Sequence, residues 1–360
     1  MTLKFCQLRR DLLVSGISLA ALGGTAYALP AKTLVFPRDR GSHPDFKTEW
    51  WYITGQAQSA GQLGERGFGF QLTFFRTRVD STQAMRSKFA AKQLMFAHAA
   101  ITDVQGKKLW HDQRIARDGF GVASSSELDM AIKLREWSLQ ADGKRYSAEL
   151  PANDFGLKLQ FIETQPVLLQ GKNGLSRKGP DEKQASYYYS QPQLATTGSL
   201  ALQGKTFEVT GTAWLDHEWS QEILAPGAVG WDWIGMNLLD GSALTAFRLR
   251  DKDGAAIWDG GSFRSAKNEL RVFNQGEVFF KPTRLWKSPL TQTSYPVEWQ
   301  VVTPTDTYTV KAVIDSQELD SRQSAGAIYW EGLSELTNRN GKKVGMGYLE
   351  MTGYAQPLRM

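Results

Sequence analysis

The residues best suited to chemistry lie in one short part of the chain. Trp214-Leu215-Asp216-His217-Glu218-Trp219-Ser220 is followed, after Glu222, by Gly230-Trp231-Asp232-Trp233, and these twenty residues hold four of the twelve tryptophans and four carboxylates. Carboxyl groups among indole rings have shifted pKa values, because apolar surroundings disfavour the charged form. Indole faces also stabilise cations. The pattern indicates acid catalysis on an apolar molecule. Aromatic packing in a β-protein core, with Asp216 and Glu218 at its edge, explains it as well.

Strand parity separates these side chains into faces, since alternate residues of a strand point the same way. His217 and Trp219 share one face of their strand, and Asp216 and Glu218 share the other. Asp232 falls in a row with Ile234, Met236 and Leu238, where a carboxyl group is costly unless it has a partner. We therefore expect Asp232, His217 and Trp219 to line one pocket. A structural, hydrogen-bonded Asp232 is the alternative.

Other combinations of reactive residues are weaker. Ser220 follows His217 and Glu218, but the chain has no Gly-x-Ser-x-Gly elbow for a serine hydrolase. A second group of charged residues and a histidine comprises Arg38, Asp39, His43, Asp45 and Glu49. Its spacing fits no standard set of metal ligands. It predicts an ion-pair network that closes a barrel entrance, so we expect neither a metal nor a cofactor.

The first residues read as an export signal. Lys4, Arg9 and Arg10 precede an apolar run from 12 to 22, which ends near the small-x-small sequence Ala26-Tyr27-Ala28. The apolar run is too short for a membrane-spanning helix, which needs about 20 residues. The Arg9-Arg10 pair also fits a twin-arginine signal. We predict a signal peptide over 1–28 and a periplasmic or secreted protein.

Composition excludes several classes of function. The single cysteine, Cys6, lies in the signal, so disulfides and thiolate sites are not expected in the exported chain. The formal charge of +5 falls to +3 when Lys4, Arg9, Arg10 and Asp11 are removed, which is too small for nucleic-acid binding. No later apolar run is long enough to span a membrane.

Strand patterns bounded by Gly, Asn and Asp turns dominate the chain, and one short helix is expected over 81–93. A weak repeat, L-T-x-F-R-x-R, occurs at 72–78 and again at 244–250. Both copies indicate a hydrophobic strand in a hairpin, which predicts two similar β-domains in tandem. We place the domains at 32–220 and 225–357.

Several motifs resemble those of the AttH-like and carotenoid 1,2-hydratase family. They are Phe36 to Tyr52, Phe96-Ala97-His98-Ala99, Tyr187-Tyr188-Tyr189-Ser190, Trp214 to Ser220, Gly230 to Trp233, Asp315 to Leu319, Tyr329-Trp330-Glu331-Gly332 and Gly347 to Tyr354. The resemblance implies an all-β fold of two lipocalin-like antiparallel barrels packed side by side. It also maps a functional His-x-Trp pair of the hydratases onto His217 and Trp219. Their Tyr-x-Asp element has no tyrosine here, because Gly230 stands two residues before Asp232.

Two functions follow from this resemblance and from the residues. The first is a carrier of an apolar small molecule, of lipid or isoprenoid type, that serves an ABC export permease. The second is a cofactor-free hydratase or isomerase in which Asp232 donates a proton and His217 orients water. Expected ligand-binding residues are Trp51, Tyr188, Trp219, Trp231 and Trp233. The tyrosine run at 187–189 also fits a core or inter-domain position.

Overall fold

A computed structural model describes residues 28–59, 65–222 and 224–358. Its strands form two antiparallel sheets, and the all-β prediction is confirmed. The predicted signal peptide lies almost wholly outside the described residues. Within the described ranges, no helix has the length and apolar character needed to cross a membrane.

The first sheet lies within residues 48–220 and has thirteen strands. They are β1 (Thr48–Ser59), β2 (Arg66–Arg78), β3 (Gln93–Asp103), β4 (Lys108–Arg117), β5 (Ala123–Ser125), β6 (Ala131–Leu134), β7 (Trp137–Asp142), β8 (Arg145–Pro151), β9 (Phe155–Ile162), β10 (Leu168–Leu169), β11 (Leu175–Arg177), β12 (Ala185–Leu202) and β13 (Lys205–Ser220). Their order is β4-β3-β2-β1-β13-β12-β9-β8-β7-β6-β5, with β10 and β11 paired to β12. Strands β3 and β4 also contact β6, so the sheet curls into a nearly closed barrel.

The second sheet lies within residues 230–351 and has ten strands. They are β14 (Gly230–Leu238), β15 (Ala243–Arg250), β16 (Ala256–Arg264), β17 (Leu270–Phe273), β18 (Phe279–Lys287), β19 (Ser294–Val302), β20 (Thr307–Ala312), β21 (Glu318–Ser321), β22 (Ala327–Thr337) and β23 (Lys343–Met351). Their order is β17-β16-β15-β14-β23-β22-β20-β19-β18, and β21 pairs with β22. The two copies of the sequence repeat fall on β2 and β15, each paired with the strand that precedes it.

Alternation of side chains builds a core inside each sheet. In β2, Phe68, Phe70, Leu72 and Phe74 all face the first core, as the sequence predicted. Gln71 and Thr73 point the other way, yet they are also buried. The reason is that β1, β2 and β13 lie against β22, β23 and β14 of the second sheet. These strands are therefore covered on both faces, and their outward side chains form a third apolar cluster between the sheets.

The helix expected over 81–93 is absent. This segment has one 3-10 turn, Asp80–Thr82, followed by a loop whose residues 84–89 are exposed. A helix in this position would have no apolar surface to pack against, and isolated short helices are marginal in water. The segment's local helix pattern therefore does not decide its structure.

Candidate functional site

Two groups of carboxyl groups lie on either side of the first sheet, one inside its barrel and one between the two sheets. The first, which we call the barrel cluster, consists of Asp39, His43, Glu49, Arg76 and His217 inside the first barrel. The second lies in the seam, the surface between the two sheets, and we call its carboxyl groups the seam acids: Asp216, Glu218, Glu331 and Glu350. Strand β13 contributes His217 to the first group, and Asp216 and Glu218 to the second, because its residues alternate between the two faces.

Glu49 is the centre of the barrel cluster. Its Oε1 lies 2.7 Å from His43 Nδ1 and 3.0 Å from His217 Nε2, and its Oε2 accepts a hydrogen bond from Arg76 Nε at 2.8 Å. Glu49 and His217 have no exposed surface, and Arg76 has almost none. His43 also lies 3.0 Å from Asp39 through Nε2. The ion-pair network predicted for residues 38–49 thus includes Asp39, His43 and Glu49, and the fold adds Arg76 and His217.

These contacts oppose the effect of burial on the pKa of Glu49. Burial alone would raise the pKa of Glu49, but hydrogen bonds from His217 and His43 and the charge of Arg76 hold it well below its usual range. For His217, burial lowers the pKa to about 4 against the hydrogen bond and charge of Glu49. The cluster is therefore an ionised carboxylate beside a neutral imidazole at neutral pH.

The barrel cluster could also hold a metal ion, since ligand atoms of His43, Glu49 and His217 lie within 4.8 Å of one another. Arg76 already binds the second oxygen of Glu49, and Lys32 binds Asp39 at 2.8 Å. These two cations supply the positive charge that a metal would bring. The charge balance therefore favours an ion-pair network over a metal site.

Asp216 is one of the two seam acids of the first sheet. It accepts hydrogen bonds from Ser190 Oγ at 2.5 Å, from Tyr188 Oη at 2.7 Å and from the Trp214 indole at 2.7 Å. Burial raises the pKa of Asp216 to about 7, although all three hydrogen bonds act to lower it. Among these partners none carries a positive charge. The Trp233 indole of the second sheet donates to Tyr188 Oη at 3.3 Å, which links the two sheets.

Glu218 has a positively charged partner, unlike Asp216, although the two residues share a strand face. Lys178 Nζ lies 2.9 Å from Glu218 Oε1, and Ser186 Oγ donates to the same oxygen. The Lys178 ammonium group lies over the rings of Tyr188 and Phe247, 4.8 and 4.4 Å from their centroids. Glu218 is thus an ion-paired acid within the seam.

Glu331 and Glu350 stand directly opposite each other on β22 and β23. Burial and the charge of Glu350 raise the pKa of Glu331 well above its usual range, although the Tyr52 hydroxyl donates to its Oε1. Burial raises the pKa of Glu350 to about 7. A hydrogen bond with Trp231 opposes that rise, and the charges of Asp216 and Glu218 add to it. Among the described residues no cation pairs with either carboxyl. Ionising both of these facing groups is therefore costly, and at least one is favoured in its protonated form.

Part of the seam is reachable from solvent. Glu350 and Trp231 are only half-buried, as are Trp50 and Trp258 at the edge of the same apolar cluster. Trp233 and Tyr52 lie deeper, with their rings 5.6 Å apart and nearly perpendicular.

The predicted site residues lie in three places: the seam, the first barrel and, for Asp232, the core of the second sheet. Tyr188, Trp231 and Trp233 lie in the seam. Trp51 and Trp219 lie in the first barrel, where their rings stack on His217 and His43, with centroid distances of 4.8 and 3.8 Å. Ligand binding by these five residues stays a prediction.

Asp232 does not share a site with His217. It faces the second core, where it pairs with Arg248 Nε at 2.7 Å and Arg250 Nε at 3.5 Å and accepts a hydrogen bond from Tyr354 Oη at 2.8 Å. The expected pocket fails because β13 and β14 belong to different sheets and each turns these residues toward its own core. Asp232 has the ion-paired surroundings of a structural carboxylate, in place of the apolar ones expected.

Sequence reasoning missed Glu331, Glu350 and Tyr52. A signal was present, because Glu331 and Glu350 each alternate with apolar residues in a strand and lie within the family-like motifs at 329–332 and 347–354. Their pairing could not be read from the chain, since it depends on the register between β22 and β23.

Comparisons with known proteins agree with this architecture. The AttH-like family model matches residues 27–354. The crystal structure of an AttH protein from Nitrosomonas europaea shares 46% identity, with a TM-score of 0.84, and the match covers 91% of this chain and 99% of that one.

Two more distant structures share the fold alone. Kievitone hydratase from Nectria haematococca is 13% identical with a TM-score of 0.69, over 92% of this chain and 95% of its own. CghA with Sch210972 is 12% identical with a TM-score of 0.53, over 91% and 95% of the two chains. No curated protein matches the chain. The match to the family model and the close Nitrosomonas relative together show that the chain belongs to the AttH-like family.

Proposed function

We propose that this protein is a cofactor-free enzyme of the hydratase type that adds water to a carbon–carbon double bond of an apolar molecule at the seam. The observation that carries the proposal is the facing pair Glu331 and Glu350 among indole rings, where no cation of the described residues holds both ionised. A carboxyl group that keeps its proton near neutral pH can act as a general acid. The shared fold with kievitone hydratase is consistent with this chemistry.

Different seam residues carry out the successive steps of the proposed reaction. The Glu350 carboxyl transfers its proton to one alkene carbon, which forms a C–H bond and leaves a cation on the other carbon. The faces of Trp231 and Trp233 stabilise that cation. Water then adds to the cationic carbon, and its extra proton returns to the Glu331–Glu350 pair. Asp216 and Tyr188 hold the opposite wall of the seam, and Tyr52 positions Glu331 through its hydrogen bond.

Binding of an apolar ligand is a necessary first step of this function and is also a candidate function by itself. The aromatic lining of the seam supports it, as hydrophobic and aromatic side chains line most small-molecule sites. Service to an ABC export permease and a periplasmic location stay predictions.

Labelled water tests the proposal directly. The wild-type protein is incubated in H₂¹⁸O with kievitone, representing prenylated phenols, and with squalene, representing acyclic isoprenoids. We expect mass spectrometry to show a product with one added labelled water. Glu350→Gln should lower that turnover by about 10²-fold or more, the scale of general-acid catalysis. Ligand binding, followed by tryptophan fluorescence, should persist.

Glu335→Gln is the matched control, because Glu335 lies on the same strand as Glu331 but pairs with Lys343 at the surface. It should leave turnover unchanged. Equal turnover by wild type and Glu350→Gln would refute the assigned acid. Fluorescence-detected binding without turnover of either compound by wild type would favour the carrier.

A further inference from the structure

A second surface of the first barrel presents aromatic side chains to solvent. The loop between β2 and β3 exposes 74% of Phe89 and 50% of Met85, and the turn after β4 exposes 59% of Phe120. Clustered exposed aromatics mark contact surfaces in soluble proteins, whereas scattered single ones are ordinary. The surface lies away from the seam, so an inference drawn from it is independent of the proposed hydratase.

Specific contacts hold this surface in place. The Phe89 and Phe120 rings stack with centroids 5.6 Å apart and planes at 12°. The Arg117 guanidinium lies 4.0 Å from the centroid of Phe120 and 5.5 Å from that of Phe89, and it donates to the Phe89 carbonyl at 2.8 Å. Phe120 has a φ of +58° between two glycines that are also left-handed, a backbone shape that turns its ring outward.

The surface is also basic. Between Ser81 and Gln93 the chain has three basic residues and no acid, and Arg86, Lys88 and Lys92 are all exposed. They line a depression of about 430 Å³ together with Asp118. Asp80, at the start of the loop, is already paired with Arg78 at 2.7 Å. Within the described ranges, none of Arg86, Lys88 and Lys92 lies within 4 Å of a carboxylate oxygen, so the loop keeps a net positive charge.

We propose that this aromatic–basic patch, formed by Met85, Arg86, Lys88, Phe89, Lys92, Arg117 and Phe120, docks the protein on an anionic lipid bilayer. Aromatic side chains that enter the headgroup region and basic side chains that meet lipid phosphates are the two parts of interfacial membrane binding. Charge complementarity selects an anionic bilayer over a neutral one.

Vesicle flotation tests the patch. The exported chain, without the predicted signal peptide, is mixed with vesicles of phosphatidylglycerol and phosphatidylcholine, and separately with vesicles of phosphatidylcholine alone. We expect the wild type to float with the anionic vesicles and to dissociate in high salt. Lys88→Glu with Lys92→Glu should weaken binding by about tenfold or more, since each basic residue near such a surface contributes measurably. Phe89→Ser with Phe120→Asn should also weaken binding to the anionic vesicles, because it removes the aromatic side chains that enter the headgroup region.

Phe279→Ser is the matched control, because Phe279 is 58% exposed on the second sheet and outside the patch. It should bind as wild type does, and all variants should keep the wild-type melting temperature. Unchanged flotation of both double variants would overturn the proposal. So would a dimer in light scattering that Phe89→Ser with Phe120→Asn dissociates, because a second copy would then cover the patch.

Discussion

The two barrels and the seam treat buried carboxyl groups differently. Glu49 in the first barrel and Asp232 in the second each face an arginine directly opposite on the next strand, Arg76 and Arg248. Glu331 in the seam instead faces Glu350. Glu49, Asp232 and Glu331 are buried, and Glu350 is half-buried. The cross-strand partner therefore decides whether a buried carboxyl group is a fixed ion pair or a group that can carry a proton.

The sequence repeat explains why the buried carboxylates Glu49 and Asp232 both pair with an arginine. Arg76 and Arg248 occupy the same position in the two copies of L-T-x-F-R-x-R, at 72–78 and 244–250. Each arginine meets the carboxylate of the strand before it, so Asp232 is the counterpart of Glu49 in the second barrel. This relation accounts for the apolar row around Asp232 without a catalytic role.

The largest effect should come from removing the arginine that distinguishes the barrel cluster from the seam. Arg76→Met leaves the Glu49 carboxylate buried without its cation, and we expect it to lower the free energy of unfolding by about 3–5 kcal/mol. Urea unfolding measures this change. Arg284→Met, which breaks a partly exposed pair with Asp315, should cost less than about 1 kcal/mol. Similar losses of unfolding free energy in Arg76→Met and Arg284→Met would contradict the idea that Glu49 depends on a buried cation.

A smaller effect should appear in the pH dependence of stability. The pKa of Glu350 is raised from 4.5 to about 7, so the folded protein binds more protons than the unfolded chain between these values. The stability this provides is full below about pH 4.5 and is lost as pH rises through 7. Glu350→Gln should remove that loss, which is on the order of 3 kcal/mol for a pKa raised from 4.5 to about 7, and urea midpoints from pH 4 to 8.5 would show it.

The contribution of the barrel cluster to stability should change with pH in the opposite direction. The pKa of Glu49 is lowered, so its contribution is present above its ordinary pKa of 4.5 and is lost as pH falls below it. Glu350→Gln should leave this acid-side loss unchanged, as should the surface control Glu335→Gln. Parallel curves for wild type and Glu350→Gln over the whole range would show that Glu350 has an ordinary pKa.

The smallest effect should come from Trp219→Phe. The Trp219 indole nitrogen has no hydrogen-bond partner among the described residues, and a phenyl ring can keep the stack on His43, so we expect a loss of only about 1–2 kcal/mol from the volume removed from the core. Substrate turnover should stay at the wild-type rate. Trp233→Phe removes the donor to Tyr188 Oη in the seam and should lower turnover. A larger loss of turnover in Trp219→Phe than in Trp233→Phe would indicate that the ligand binds in the first barrel.

The sequence by itself determined the all-β class and which side chains share a face of a single strand. Alternation along β2 correctly placed Phe68, Phe70, Leu72 and Phe74 in one core, and alternation along β13 separated His217 from Asp216. The repeat indicated two similar β units. Such patterns are local, because the period of a strand fixes which side chains share a face without reference to any other strand.

The tertiary structure alone decided which faces meet. Parity showed that Asp232 and His217 each lie in a largely apolar row, but only the division of β13 and β14 between two sheets shows that the rows face different cores. The pair Glu331 and Glu350 depends on the register of β22 against β23 and on burial of their outer face by the first barrel. Burial raises the pKa of both groups, and burial of that face is a property of the packed sheets, which local alternation cannot specify.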